Sequence, residues 1–292
     1  MNSARPQPTV DPDDHPGSQL YLWGPYAPDV IPEHGATYDA EAVFSPTEMV
    51  DEDTPSLPSA VVLGFDDALH GLVTETGDLV GSDRQGDLEY RLLSQQVAFV
   101  PVQELGVGAP AAAIATEKAI ASGVAVVVVL TSAGSLQPAI PPDAALLPTR
   151  AVRDEGASYH YLPPDEQATA TEGLVDDLGT ALVDAGVETH RGPVWTTSAL
   201  FRETVPQVER YRDEGFVSVD MESAAVWAVA RFRGVDAATV HAVGSSVSAG
   251  RTGADDSAEI TESPSDAEPN ERLSALLGPT VRALESYGAE QR

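Results

Sequence analysis

Residues 125–130 read AVVVVL, the most apolar strand-length run in the chain. Two similar runs precede it, SAVVLGF at 59–65 and a shorter one at 97–102, with a helical pattern at 111–122. Runs of four to eight residues that are apolar on both faces, separated by amphipathic helices, are typical of a sheet covered by helices on both sides. The pattern therefore predicts an α/β fold with an open central sheet.

Working outward, the alternation continues to the end of the chain. A helix follows the first strand, further strands are predicted at 144–150, 192–197, 216–219 and 237–243, and helices at 165–185, 205–214, 222–233 and 271–287. Residues 1–58 contain ten prolines and predict an extended, partly disordered N-terminal arm. Residues 59–292 are expected to form a single domain with an acidic loop at 249–270.

The composition excludes several classes of protein. The 292 residues include 46 Asp plus Glu against 16 Lys plus Arg, giving a net charge of −30, and there is no cysteine. Disulfides, zinc–thiolate clusters, iron–sulfur sites and cysteine nucleophiles are therefore excluded. The acidic balance argues against nucleic-acid binding. No apolar stretch is long enough for a membrane span or signal peptide, so a soluble cytoplasmic protein with no metal or cofactor is expected.

The cations themselves are unevenly divided. Lys118 is the single lysine, and the other fifteen cationic residues are arginines. The acidic residues are spread along the chain rather than grouped in a tail. Near-total loss of lysine with an excess of carboxylates indicates a surface adapted to very high salt, where charge repulsion is screened within about 3 Å at 1 M.

Three segments carry residues suited to ligand binding. Residues 106–110 (GVGAP) precede a helix, whose N-terminus offers backbone N–H groups to an anion, although a tight turn explains them equally well. Residues 131–135 (TSAGS) follow the most apolar strand and suit an anion or a sugar, or form a polar loop. Asp220 and Glu222 flank Met221 where a strand meets a helix, which fits either helix capping or binding of a sugar diol.

Several ordered segments together resemble the nucleoside phosphorylase superfamily, in its uridine phosphorylase-like branch. They are VDMESAAVWAVARFRGV (219–235), GVGAPAAAI (106–114), SAGSLQP (132–138), AVRDEGASYHYLPPDE (151–166) and WTTSALFRET (195–204). The resemblance covers roughly residues 59–247 and implies a three-layer sandwich with a central twisted mixed β-sheet flanked by helices. It also implies assembly into homo-oligomers, as trimers or hexamers.

The resemblance implies specific roles for individual residues. Glu222 would bind the ribose 2′- and 3′-hydroxyls as the catalytic residue, with Met221 packed on the sugar and Asp220 beside it. Phe201 would stack on the base, where Leu200 replaces a further aromatic residue of the family. Gln207 and Arg210 are candidate readers of a pyrimidine. Purine-specific relatives carry an aspartate that protonates the base, whereas this chain has VGS at 243–245, which disfavours purines.

The phosphate site departs from the family pattern. Gly64, Ser132 and Gly108 are the expected phosphate contacts. The two arginines that grip phosphate in the family are replaced by Ala68 and Val129, and Asp66 and Asp67 lie nearby. Arg84 or Arg91 is the candidate for a third arginine, donated by a neighbouring subunit. Because guanidinium groups make the strong contacts to phosphate, their loss is expected to weaken its binding.

Three functions therefore stay in competition. The first is phosphorolysis of a uridine-like nucleoside to free base and ribose 1-phosphate, with phosphate as co-substrate. The second is phosphate-independent hydrolysis by a nucleosidase, in which Asp66 or Asp67 would activate water. The third is a non-catalytic nucleoside-binding homologue.

Overall fold

The computed structural model describes residues 40–50, 56–76, 78–82, 89–247, 260–261 and 269–290. The strands are β1 (Ala60–Gly64), β2 (Asp78–Ser82), β3 (Glu89–Leu92), β4 (Val97–Pro101), β5 (Val126–Ser135), β6 (Ala145–Asp154), β7 (Ala168–Thr169), β8 (Thr189–Thr197), β9 (Ser218–Asp220), β10 (Asp236–Val247) and β11 (Ile260–Thr261). The helices are α1 (Asp67–Thr76), α2 (Ala109–Ala121), α3 (Glu172–Asp184), α4 (Val205–Asp213), α5 (Ser223–Arg233) and α6 (Pro269–Glu290).

The described strands form one mixed sheet, and part of that sheet closes on itself. The order β10-β6-β8-β9-β5 returns to β10 because β5 also pairs with β10 along most of its length. The other side of β5 continues into β1, β4, β3 and β2. Strands β1, β4, β5 and β10 run parallel, whereas β9 is antiparallel to β5. The predicted open sheet is therefore partly a five-stranded barrel.

Helices cover both faces of the sheet, which confirms the predicted α/β sandwich. Alternate side chains of one strand enter opposite layers: Val61 and Leu63 pack with α2 and α5, whereas Ala60 and Val62 pack with α1, α3 and α6. The same alternation holds in β5, where Val129 lies on the α2–α5 side. Both faces of the strands are apolar because both faces are buried.

Helices α2 and α5 bring the two most distant motifs together. Each helix meets the other in the same core layer through small residues, which allow close approach: Ala112, Ala115 and Ala119 in α2, and Ala224 and Ala228 in α5. As a result, the N-terminus of α2, preceded by Gly108, lies beside the N-terminus of α5, preceded by Glu222.

Several predicted boundaries were wrong. Residues 131–135, expected to follow the strand as a ligand-binding segment or a polar loop, instead continue β5, because their backbone pairs with β10 and β9. The helix predicted at 165–185 begins only at Glu172, after the two-residue strand β7. Strands β2 and β3 were not predicted at all. Within the predicted loop at 249–270, Ile260 and Thr261 form β11 against the end of β10.

The predicted arm and loop are only partly described. Leu57 is buried in the core and its N–H donates to the Ser122 carbonyl, so the described chain joins the domain just before residue 58. Most of 1–58, most of 249–270 and Arg84 lie outside the described residues, and the domain boundaries stay predictions. Among the described residues, no helix has the length and apolar character needed to cross a bilayer.

Candidate active site

Glu222 stands at the junction between β9 and α5, and its carboxyl group turns away from its own helix. It is the N-cap residue of α5, yet its side chain makes no capping bond there. Oε1 accepts from the backbone N–H of Gly108 at 3.0 Å, and Oε2 accepts from that of Met221 at 3.1 Å. Each oxygen keeps a further acceptor site, which is the requirement for contact with two neighbouring hydroxyls.

The surroundings of Glu222 oppose its ionisation. Burial and the nearby charge of Asp220 raise its pKa from 4.5 to about 8, although the N–H groups of Met221 and Gly108 act in the opposite direction. Burial beside a second carboxylate is one of the ways in which functional sites raise the pKa of a carboxyl group.

Met221 and Gly108 complete this corner. The Gly108 backbone has φ +82°, a conformation that favours glycine, and a Cβ at that position would lie 3.5 Å from the Met221 Cε atom. Met221 therefore packs directly against the turn before α2. The structure brings three of the predicted residues together: Gly108, Met221 and Glu222. The Gly108 N–H, expected to bind phosphate, instead holds the glutamate.

Asp220 lies behind the site rather than in it. Its side chain is fully buried, and both oxygens have protein donors: Oδ1 accepts from the Thr196 hydroxyl at 2.7 Å, and Oδ2 accepts from the Ser223 N–H at 3.0 Å. Oδ2 also lies 3.2 Å from Nε2 of His241. Burial alone would raise the pKa of Asp220, but the hydrogen bonds from His241, Ser223 and Thr196 lower it overall. The predicted contact of Asp220 with ribose or base is therefore replaced by a supporting role.

The predicted phosphate residues divide into packing and exposed positions. A Cβ on Gly64 would collide with the Phe99 ring, so close packing accounts for this glycine. Val129 is fully buried in the core, so the family's arginine could not be restored there without burying a charge. Ser132 is exposed on β5, two residues beyond Leu130, the partner of Gly64 in the register. Of these predicted phosphate residues, Ser132 therefore has an exposed hydroxyl that can contact a ligand.

The acidic residues after β1 begin a helix. Asp66 Oδ1 accepts from the Ala68 N–H at 2.9 Å, and the Asp66 carbonyl accepts from the His70 N–H at 3.1 Å. These bonds cap the first turn of α1, which stabilises a helix by about 1 kcal/mol. Asp66 is therefore engaged as a cap, which removes support for its use as a base in hydrolysis.

The candidate base readers have local partners. Gln207 accepts from the Thr204 hydroxyl at 2.7 Å in a capping box at the start of α4. Arg210 forms an exposed pair with Glu214 on the same helix. Phe201 is 96% exposed, so its predicted stacking on a base stays a prediction. Arg91 pairs with Glu89 on the same strand at 2.9 Å.

Two further arrangements hold the surroundings of the site. Arg233 at the end of α5 makes a two-bond ion pair with Glu117 in α2, with both N–O distances at 2.8 Å. The segment 153–166 wraps around buried Arg153, which donates to the carbonyls of Leu162, Pro163 and Glu166 and to the hydroxyl of Ser158. Both arrangements are structural; Arg233 and the segment 153–166 belong to the resembling segments, whereas Glu117 lies just beyond one of them.

Sequence reasoning missed the polar group behind Asp220. Its members are Thr196, Ser218, Ser223, Thr239 and His241, all 0% exposed. His241, a lone histidine inside the apolar strand 237–243, was the signal that could have revealed it. A polar side chain buried in a strand needs hydrogen-bond partners. No group of three or more His, Asp or Glu side chains suited to a metal ion occurs in the part of the chain that the structure describes.

Comparisons with known proteins agree with the motifs. The Phosphorylase superfamily model matches residues 58–277. Guanosine phosphorylase of Halorubrum lacusprofundi is 28% identical over 195 residues, which are 66% of this chain and 79% of that protein. Uridine phosphorylase of Salmonella typhimurium is 26% identical over 158 residues, which are 49% of this chain and 62% of that protein.

Solved structures agree in fold. The crystal structure of uridine phosphorylase from Vibrio fischeri, in complex with 6-hydroxy-1-naphthoic acid, has a TM-score of 0.64 and 22% identity, covering 82% of this chain and 94% of that chain. The predicted family is therefore confirmed by the family model, which matches residues 58–277, and the solved structure shows the same fold. This chain belongs to the phosphorylase superfamily, the family of nucleoside phosphorylases that its motifs resemble.

Proposed function

We propose that the protein is a pentosyltransferase that cleaves a uridine-like nucleoside with phosphate, giving the free base and ribose 1-phosphate. The observation that carries the proposal is the Glu222 carboxyl, held by two backbone N–H groups beside Met221. Because the two oxygens are fixed by separate donors, each would have an acceptor site available to one hydroxyl of a vicinal diol without further rearrangement.

In this reaction the bond between C1′ and the base nitrogen breaks, and the base leaves with the electron pair. An oxygen of hydrogen phosphate forms the new bond to C1′, and the proton that hydrogen phosphate loses balances the one that the base takes up. The ribose carries positive charge between these events, and an ionised Glu222 at its hydroxyls stabilises that charge. The buried surroundings strengthen the interaction because little water screens it.

The relatives point to two kinds of base, since one is named guanosine phosphorylase and another uridine phosphorylase. We favour the pyrimidine because Ser245 stands where the purine-specific pattern has an aspartate. Phosphate would bind through neutral donors such as the Ser132 hydroxyl, and we therefore expect a high KM for phosphate. Assembly into trimers or hexamers and adaptation to high salt are further parts of the proposal.

The proposal is tested by cleavage assays with uridine and guanosine in molar KCl, with and without phosphate. We expect release of uracil and ribose 1-phosphate that depends on phosphate, and weaker activity on guanosine. Release of free ribose without phosphate would instead identify a nucleosidase. Uridine binding without turnover would identify a non-catalytic homologue.

The pH dependence of the reaction supplies a second prediction. Burial and Asp220 raise the pKa of Glu222 to about 8. Since the ionised form accepts from both hydroxyls, kcat/KM for the nucleoside should rise with pH and level off above about pH 8. Initial rates at low nucleoside concentration between pH 5.5 and about 9 measure this. A profile that is flat or falls across that range would contradict the role of the carboxylate.

A further inference from the structure

The polar group behind the site crosses the interior of the closed strand ring. His241 lies on β10 and is fully buried. Its Nδ1 is 3.1 Å from the Ser218 hydroxyl, and its Nε2 is 3.2 Å from Asp220 Oδ2. Ser218 and Asp220 are the first and last residues of β9, so a single imidazole spans that strand from the opposite side of the barrel.

Burying the polar contacts of His241 is not expected to stabilise the fold. Burying a charged or polar pair costs desolvation free energy, and apolar residues of similar size are often as stabilising or more so. Val219 and Val240, which alternate with these polar residues along β9 and β10, pack into apolar clusters on the other side of their strands, so the same strands bury valine where no polar contact is made. The polar contacts of His241 are therefore better explained by what they position than by stability.

The residue positioned is Glu222, through Asp220. Glu222 occupies the N-cap of α5, where a side chain ordinarily accepts from the first helical N–H groups. Here the N–H of Ser223, the first residue of the helix, donates to Asp220 Oδ2, and the next N–H, that of Ala224, donates to the Thr196 hydroxyl. Asp220 and Thr196 together satisfy the helix start, and the Glu222 carboxyl is left to reach across to Gly108.

Asp220 can do this only if its carboxylate is held in one orientation. The Thr196 hydroxyl fixes Oδ1 from β8, and His241 fixes Oδ2 from β10. The Thr196 hydroxyl also accepts from the Ala224 N–H at 3.2 Å, which ties the first turn of α5 to β8. His241 is thus the contact that fixes the oxygen responsible for capping.

We propose that His241 is a positioning residue for ribose recognition: it orients Asp220, which caps α5 and so directs the Glu222 carboxyl toward Gly108 and the substrate. This inference rests on the proposed function. His241 does not contact the substrate in this proposal, and it acts on Glu222 through the carboxylate of Asp220.

Two variants of equal polarity test the proposal, because each keeps one of the two histidine contacts. In His241→Gln the amide nitrogen replaces Nε2 and keeps the contact with Asp220. In His241→Asn it replaces Nδ1 and keeps the contact with Ser218. We expect His241→Asn and His241→Phe to raise the nucleoside KM and to lower kcat, with kcat/KM reduced by about 10- to 100-fold, as a small displacement of a catalytic group does. We expect His241→Gln to restore most of the loss.

The readouts separate positioning from loss of folded protein. A variant that is partly unfolded has a lower apparent kcat but an unchanged KM. His190→Gln is the matched control, because His190 is paired with Glu188 at the surface, outside the network. Equal KM values for the Gln and Asn variants would overturn the proposal, even if the Phe variant does not fold.

Failure of the proposed function gives a different result. If the wild-type protein does not cleave nucleosides, the same variants are compared by calorimetric titration with uridine. Weaker binding in His241→Asn than in His241→Gln then supports the positioning role, and equal binding in both variants refutes it. A wild-type protein that does not bind uridine refutes both the proposed function and this inference.

Discussion

A Glu222→Gln variant is expected to lose nucleoside cleavage by about 1000-fold, because it removes the charge that stabilises a cationic ribose in a buried site. The substitution preserves the size of the side chain but presents an NH₂ group to one of two backbone N–H donors, those of Gly108 and Met221. Steady-state kinetics with uridine and phosphate measure the loss. Glu214→Gln, on the exposed pair with Arg210, is the control and should retain wild-type rates.

The same variant should change how stability depends on pH. The pKa of Glu222 is about 8 in the folded protein and 4.5 as the ordinary value. Between these values the folded state binds more protons than the unfolded state, so the wild-type free energy of unfolding falls as pH rises. The loss amounts to at most about 5 kcal/mol, at 1.4 kcal/mol for each pH unit. The Gln variant should lack this component.

Denaturant unfolding of both proteins at pH 5 and at about pH 9 measures the difference. We expect the Gln variant to gain stability relative to wild type as the pH is raised. Curves that fall in parallel would show that Glu222 ionises in the folded protein as it does in the unfolded chain. Together with the kinetics, these results would show that the Glu222 carboxylate is needed for activity but lowers the free energy of unfolding.

An Arg153→Ala variant should destabilise the protein by about 3 to 5 kcal/mol, because it leaves several buried carbonyls without a donor. Arg153 lies within the 153–166 segment and donates to three carbonyls and to the hydroxyl of Ser158. The guanidinium also stacks 4.2 Å from the centre of the Tyr159 ring. Lysine should not rescue the variant, since one ammonium cannot reproduce the planar set of donors.

Unfolding in denaturant and limited proteolysis between residues 154 and 167 measure this effect. The control is Arg231→Ala, which removes an exposed ion pair with Glu166 in the same region and should cost less than about 1 kcal/mol. Equal losses in the two variants would show that the buried contacts of Arg153 contribute no more than a surface pair.

The fold was predictable where burial alone determines the sequence. Val61 and Val62 face opposite helical layers, and an uninterrupted apolar run in the sequence predicts a strand that is buried on both faces. Strands β2 and β3 were missed because they lie beyond β4 at the side of the sheet, where polar residues such as Glu89 and Arg91 are tolerated. The strand was predicted to end at residue 130 because hydroxyl and glycine residues follow it, whereas the pairing of residues 131–135 with β10 and β9 is set by tertiary structure.

The site was predictable in its residues but not in its contacts. Glu222, Met221 and Gly108 were identified by motif, yet the hydrogen bond between Gly108 and Glu222 joins positions 114 residues apart and depends on how α2 packs on α5. The role of Asp220 was ambiguous because capping and sugar binding call for the same side chain. Only the three donors around it distinguish them.

The ion pair between Arg233 and Glu117 helps to hold α5 in a fixed position against α2. It joins the far end of α5 to the middle of α2, whereas the Gly108–Glu222 bond joins the beginnings of the same helices. Two helices fastened at two separated points cannot pivot against each other. The conformational entropy of Glu222 is therefore lost when the chain folds rather than when the nucleoside arrives, and a preorganised carboxyl of this kind favours tight association without a closing motion.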